Sequence, residues 1–298
     1  MTLEQLRIFV AVAERGHMTA AAKALGLTQP GASSAIAALE AQYAVKLFDR
    51  VGRRIVLSEA GRLFLDEARA VLRRAGAAEQ ALADLAGLKR GHVTLHASRT
   101  VAHYWLPGRL VRFRRAYPAV TLTLKVGNTR AVAAAVGAGQ ADLGLVEGAF
   151  TEEMLVPRRV AEDRLALLVA PGHRWAGGGE PSPDALAAAT WVLREPGSGT
   201  RAALETALSE RGIDPAGLTV LLELAANEAV RAAVEEGAGA TLLSRLVAEQ
   251  SLSHGRLIEV PFAVAPRPFL LLRHAERRMS RAAEALMAVL SEAADDAL

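Results

Sequence analysis

The sequence predicts a mainly α winged helix-turn-helix unit, a long linker helix and a larger α/β region in two halves. Three observations carry this. Residues 19–43 hold two helical patterns joined by a Gly-containing turn. A heptad pattern without proline runs from Ser58 to about Leu85. After Gly91, short apolar runs alternate with helical stretches, which argues for an α/β sheet region with mostly parallel strands. The length of 298 residues favours more than one domain.

Leu3, Leu6, Phe9, Val10 and Val12 mark an amphipathic helix over 3–14, and Gly16 ends it. Thr19–Leu25 reads as a short helix that Gly26-Leu27-Thr28 breaks. A second helix starts at Gln29-Pro30 and runs to about Tyr43, with Thr28 as its N-cap. Pro30 suits a first helical turn, where a missing N–H costs nothing. Ala32, Ala35, Ile36 and Leu39 fall on a core face. Gln29, Pro30, Ser33 and Ser34 are left at the start of the helix, where a recognition helix meets base edges. Leu47-Phe48 and Ile55-Val56-Leu57 then flank a tip containing Arg50, Arg53 and Arg54. This reads as a hairpin wing whose arginines reach phosphates or a minor groove.

Ser58 is the expected N-cap of the long helix. Phe64, Ala68, Val71, Ala75, Ala78, Leu82 and Leu85 alternate by four and three, a seam that needs a partner. The seam fits a dimerisation helix, with Phe64, Val71, Leu82 and Leu85 as its large members. Packing on its own chain is the other reading. Gly87 and Gly91 mark a boundary, so the expected domains are 1–58, a linker over 59–90, and 91–298.

The segment Leu3–Gly61 resembles the N-terminal domain of LysR-type transcriptional regulators. The resemblance rests on Leu6, Phe9, Thr19-Ala20-Ala21-Ala22, Leu25, Gln29-Pro30, Ser33, Ile36, Leu39-Glu40, Leu47-Phe48-Asp49-Arg50, Leu57 and Ala60-Gly61. Three positions depart from the pattern. His17-Met18 stand where a Ser usually precedes the second helix. Ala44 replaces a frequent Gly after the recognition helix. Ser34-Ala35 replace longer polar side chains, which shifts weight onto Gln29 and the wing. The resemblance implies a cytoplasmic homodimer or homotetramer on inverted-repeat promoter DNA, in contact with RNA polymerase.

Beyond Gly91, strands are expected at 92–97, 120–126, 142–146, 165–169, 191–193, 218–224, 240–243, 257–260 and 269–272, with helices between them. Two α/β halves with a final return look like a periplasmic-binding-protein fold. The resemblance places the first half at about 91–163 plus 267–298 and the second at about 164–266. Ligands in open α/β sheets bind beyond the carboxyl ends of the strands. Residues at those ends are Ser98, Arg99, Thr100, Asn128, Glu147, Ser198, Thr200, Arg201 and Asn227. Hydroxyls, glycine N–H groups and a helix N-terminus suit an anion, with Arg99 or Arg201 as counter-charge. The run Arg194–Arg201 resembles a segment of regulators that respond to small metabolites or inorganic anions. The expected ligand is therefore a small anionic effector.

Other chemistry is poorly served. Ser198 lacks the outer glycines of a nucleophile elbow, and its loop lacks a P-loop lysine. The seven histidines are scattered, and there is no cysteine for a disulfide or thiolate metal site. No catalytic residue, metal or cofactor is expected. The N-terminus does not read as a signal peptide, and no apolar run of about 18 residues predicts a membrane span.

Overall fold

The computed structural model describes residues 1–51, 54–85, 91–148 and 152–292. Arg53 lies outside them, and so do the side chains of Arg50, Arg54 and Leu85. The chain divides into two compact units, Met1–Ala86 and Gly87–Leu298.

The first unit begins with α1 (Leu3–Arg15), started by a Thr2/Gln5 capping box and ended by Gly16 at φ 60°. Then come α2 (Met18–Ala24) and α3 (Gln29–Tyr43). His17 takes the place of the usual serine: its Nδ1 accepts from the Ala20 N–H at 3.4 Å. The Thr28 hydroxyl caps α3 by accepting from Gly31 N at 3.3 Å. Ala44 ends α3 in the left-handed region at φ 51°, so the sharp turn is kept without glycine. Such a backbone costs a residue with a Cβ roughly 1–2 kcal/mol.

The wing is β1 (Phe48–Val51) paired antiparallel with β2 (Arg54–Leu57), with Phe48 opposite Leu57 and Val51 opposite Arg54. Helix α4 (Glu59–Leu85) follows, capped by Ser58, whose Oγ accepts from Gly61 N at 2.9 Å. The core of this unit is built from Leu6, Phe9, Val12, Ala32, Ile36 and Leu39. The Phe9 ring lies 5.3 Å from Phe48 and 5.0 Å from Phe64, so one side chain joins α1, the wing and α4. Gly61 brings α4 against the chain leading into the wing: a Cβ there would lie 2.0 Å from the Leu47 carbonyl oxygen.

The second unit has two lobes. Lobe I holds β3 (Gly91–Ser98), β4 (Val120–Gly127), β5 (Leu143–Glu147), β6 (Leu155–Asp163) and β12 (Arg267–His274), in spatial order β4-β3-β5-β12-β6. The first three are parallel, and β12 runs antiparallel to β5 and β6. A π-helical turn (Val101–Trp105) leads into α5 (Pro107–Ala116), which covers one face with α11 (Arg281–Glu292). Helix α6 (Thr129–Gly137) packs Val132 and Val136 among Val146 and Leu272.

Lobe II holds β7 (Leu165–Val169) between β10 (Thr241–Ser244) and β11 (Ile258–Val260), both antiparallel to it. A parallel pair, β8 (Thr190–Arg194) and β9 (Thr219–Leu224), joins β10 through a bridge between Trp191 and Ala240. The helices are α7 (Pro183–Ala187), α8 (Gly199–Ser209), α9 (Asn227–Glu235) and α10 (Arg245–Ser253). Trp191 is fully buried, and its indole N–H donates to the Leu186 carbonyl at 3.1 Å. Both sheets are mixed rather than mostly parallel, because the strands that cross between the lobes return antiparallel. Strand β6 falls where no strand is expected from the sequence. It is an edge strand whose Val156–Arg159 stretch faces solvent, so its residues lack an apolar run.

Candidate functional site

On the first unit, Gln29, Pro30 and Ser34 are exposed at the start of α3 and Ser33 is half-buried. The opposite face of that helix is closed by Ala32, Ile36 and Leu39. The far end of α3 is tied to the wing by Glu40, a residue sequence reasoning gave no structural role. Its Oε1 accepts from Leu47 N at 2.8 Å and Phe48 N at 3.2 Å, and its Oε2 pairs with Lys46 Nζ at 2.8 Å. Burial acts to raise the Glu40 pKa. The Lys46 hydrogen bond and the two amides outweigh it and hold the group below the ordinary carboxylate value.

In the second unit, the ends of β3, β5 and β8 and the N-termini of α8 and α9 meet in one polar cleft between the lobes. Ser98, Thr100, Glu147, Ser198, Thr200 and Asn227 are all buried there. The Ser98 hydroxyl donates to Glu147 Oε2, and Thr100 Oγ1 lies 3.3 Å from Oε1. From lobe II, the Asn227 amide donates to Thr100 Oγ1 at 3.1 Å. Arg194 in turn donates to Asn227 Oδ1 and forks onto Glu195 at 2.8 and 3.1 Å. Arg99 joins the same carboxylate at 2.9 Å, as does the Asn128 amide at 3.3 Å. Burial acts to raise the Glu195 pKa, but Arg194 and then Arg99 prevail and lower it.

A second charged group lies where the strands cross. Arg267, buried at the start of β12, donates through Nε to Asp163 Oδ2 at 2.8 Å. Its Nη2 is in ion-pair contact with the same oxygen at 2.7 Å, without a hydrogen aimed at it. Its Nη1 donates to Thr200 Oγ1 at 3.1 Å and lies 3.9 Å from Glu147. The Ser244 hydroxyl donates to the other oxygen of Asp163 at 2.5 Å. Asp163 and Arg267 thus link the crossing strands to both lobes. At the cleft edge, the Tyr104 hydroxyl donates to Glu228 at 2.9 Å, joining the π-helical turn to α9. Burial, and then Glu228, push the Tyr104 phenol up to about 12.

Comparison with known proteins decides the family. Residues 3–62 match the description "Bacterial regulatory helix-turn-helix protein, lysR family", and residues 86–295 match "LysR substrate binding domain". The chain belongs to the LysR family. It is a DNA-binding transcription regulator with an effector-binding domain, in a family of regulators rather than enzymes. It is 36% identical over 284 residues to the uncharacterized HTH-type regulator YeiE of Escherichia coli K12, covering 95% of this chain and 94% of that one. Its fold is similar to that of CbnR in complex with target DNA, at a TM-score of 0.71 and 23% identity over 99% of this chain and 100% of that one. The regulatory domain of Synechocystis CcmR in complex with 2-PG matches 70% of this chain and 99% of its own length, at a TM-score of 0.63 and 24% identity.

In this LysR-family chain the cleft brings together all but one of the effector residues read from the sequence. Arg201 is the exception. Its donors go to Glu205 at 2.7 Å, to Glu223 at 2.5 Å and to the Arg194 carbonyl at 3.1 Å, so it braces lobe II instead. Arg99 is no free counter-charge either, because Glu195 already holds it. Phe64 corrects the seam. It packs against the core of its own unit, and Ala68 on the same helix is wholly buried there. Val71 and Leu82 remain exposed at 41% and 69%, which leaves only the later part of the seam open. Sequence reasoning gives Arg194 no role beyond its place in the Arg194–Arg201 run, and misses Asp163 and Arg267. Asp163 and Arg267 are 104 positions apart, and no local pattern announces such a pair. Among the described residues, no three His, Asp or Glu converge to hold a metal, and no helix is long and apolar enough to cross a membrane.

Proposed function

We propose that this regulator reads inverted-repeat promoter DNA in the cytoplasm and responds to a small effector bearing an anionic group in the cleft. The convergence of the α8 N-terminus with the hydroxyls of Ser98 and Thr100 carries the reading. Ser198, Gly199 and Thr200 open that helix, whose backbone N–H groups and dipole favour negative charge. Gln29 reads bases, Ser33 and Ser34 set register, and Arg50, Arg53 and Arg54 supply phosphate contacts. The chain acts as a homodimer or homotetramer joined in part through Val71, Leu82 and Leu85. Effector binding favours one arrangement of the lobes and shifts an existing equilibrium. The linker helix passes this on to the spacing of the DNA heads and to contact with RNA polymerase.

A thermal-shift screen of small carboxylates, phosphates and inorganic anions against the full chain tests the cleft. A ligand at one hundred times its Kd stabilises the native state by about 2.7 kcal/mol. Ser198→Ala and Thr100→Val should abolish the shift while DNA affinity without ligand is kept. A shift unchanged in both variants would move the effector site elsewhere.

A further inference from the structure

The charges in the cleft are balanced in number but separated in place. Glu147 is only 2% exposed, yet its closest partners are the neutral hydroxyls of Ser98 and Thr100. The nearest guanidinium, Arg267, stands 3.9 Å away and is held more closely by Asp163. A carboxylate has about four lone-pair sites, and the two hydroxyls leave the others open. Around Glu195 the imbalance is reversed. Arg194 and Arg99 both bind this one carboxylate, which leaves one positive charge in excess.

Ser198 sits between these poles. A Cβ on Gly199 would lie 2.6 Å from the Glu147 carbonyl oxygen and 3.0 Å from its Cγ, so that side of the loop packs on Glu147. A Cβ on Gly197 would lie 3.3 Å from Asn128 Nδ2, which itself donates to Glu195 at 3.3 Å, and 3.4 Å from Arg130 Nε, so the other side faces the edge of the Glu195 group. Neighbouring Cα atoms are about 3.8 Å apart, so Gly197 and Gly199 lie within about 7.6 Å of each other, with Ser198 between them. Ser198 is the N-cap residue of α8, but its hydroxyl makes no capping bond. That oxygen is buried with no hydrogen-bond partner. Buried hydroxyls are normally satisfied, and N-cap serines normally accept from the helix.

We propose that the cleft takes a zwitterion, an α-amino acid, with its ammonium on Glu147 and its carboxylate on the Ser198 hydroxyl and the α8 N-terminus. The inference rests on the cleft being the effector site. A plain anion at Ser198 meets the Glu147 carboxylate one residue away, whose nearest guanidinium, at 3.9 Å, is shared with Asp163. An ammonium beside Glu147 removes that repulsion and fills the open lone pairs. The arginine-rich rim around Gly197 and Asn128 then favours the ligand's carboxylate.

The test is binding of each of the twenty L-α-amino acids to the full chain, followed by matched analogues of every binder. One analogue lacks the amine and the other has the carboxylate converted to an amide. The expected result is at least one amino acid that binds, with each analogue weaker by tenfold or more. Glu147→Gln should weaken the amino acid at least tenfold while sparing or improving the analogue that lacks the amine. Ser198→Ala should weaken both. If the analogue without an amine binds as tightly as the amino acid and Ser198→Ala removes it, the zwitterion is overturned and the cleft stands. If amino acids bind but neither substitution matters, the cleft itself is overturned. If no amino acid binds, the zwitterion is overturned outright. Should Glu147→Gln fail to fold, the analogue series on the natural chain decides alone.

Discussion

Replacing Glu40 with alanine should uncouple the wing from the recognition helix, and the size of the effect follows from its three bonds. Hydrogen bonds to a charged acceptor contribute about 1.5–3 kcal/mol each, and a buried donor left without a partner incurs its full desolvation penalty. Leu47 N and Phe48 N both lose their acceptor, and the Leu47 bond is buried. The Lys46 ion pair adds little, because the lysine side chain is 79% exposed and such pairs are worth about 1 kcal/mol at most. Glu40→Ala should therefore cost about 3–5 kcal/mol. Glu40→Gln should cost less, about 2 kcal/mol, since both amides keep their acceptor, Oε1, and each bond only falls from charge-assisted to neutral. Urea unfolding followed with hydrogen exchange over residues 44–57 separates the two variants. A loss below 1 kcal/mol in Glu40→Ala, or equal losses in both, would refute the reasoning. The sign with pH is fixed as well. The folded pKa of Glu40 lies below its ordinary value, so its contribution is present above about pH 4.5 and is lost as pH falls through the lower folded value.

Four further outcomes are expected. Gly61→Ala should destabilise the first unit by about 3 kcal/mol or more in urea unfolding, because a Cβ would meet the Leu47 carbonyl at 2.0 Å. Ala44→Gly should stabilise it by about 0.5–1 kcal/mol, the left-handed penalty less the added freedom of the unfolded chain. The phenol of Tyr104 should ionise at about 12, so absorbance at high pH should lose its latest step in Tyr104→Phe. The raised value also means that this residue's contribution is whole below about pH 10 and falls away as pH rises towards 12. Leu82→Lys should shift the sedimentation profile towards smaller species, and an unaltered profile would argue against the seam.

The legible parts of the chain were those whose signal is local. Thr28, Pro30 and Gly26 announce the turn into α3, and Ser58 announces α4, because caps and turns act within a few residues. The Ser98, Thr100, Ser198 and Thr200 ends of strands could be placed because strand-to-helix loops in α/β lobes share one edge. Other features depend on distant chain and left little trace. A helical period cannot say which neighbour covers it, so Phe64 read as a dimer seam although it packs on Phe9. Strand β6 carries Pro157, Arg158 and Arg159 because an edge strand faces solvent, and so it lacks the usual pattern. Arg201 sits in the expected segment, but Glu205 and Glu223 turn it away from the cleft. Ala44 kept a turn that its type disfavours, because the bond from Val45 N to the Glu40 carbonyl holds the helix end.

Selection of bound duplexes from a random DNA pool tests the central claim most directly. Two-fold heads on one face of the duplex predict an interrupted inverted repeat with half-sites about 10 base pairs apart, or a multiple of that. Gln29→Ala should lose the half-site preference and keep salt-dependent binding. A pool without an enriched inverted repeat, or the same repeat enriched by Gln29→Ala at unchanged affinity, would contradict the account.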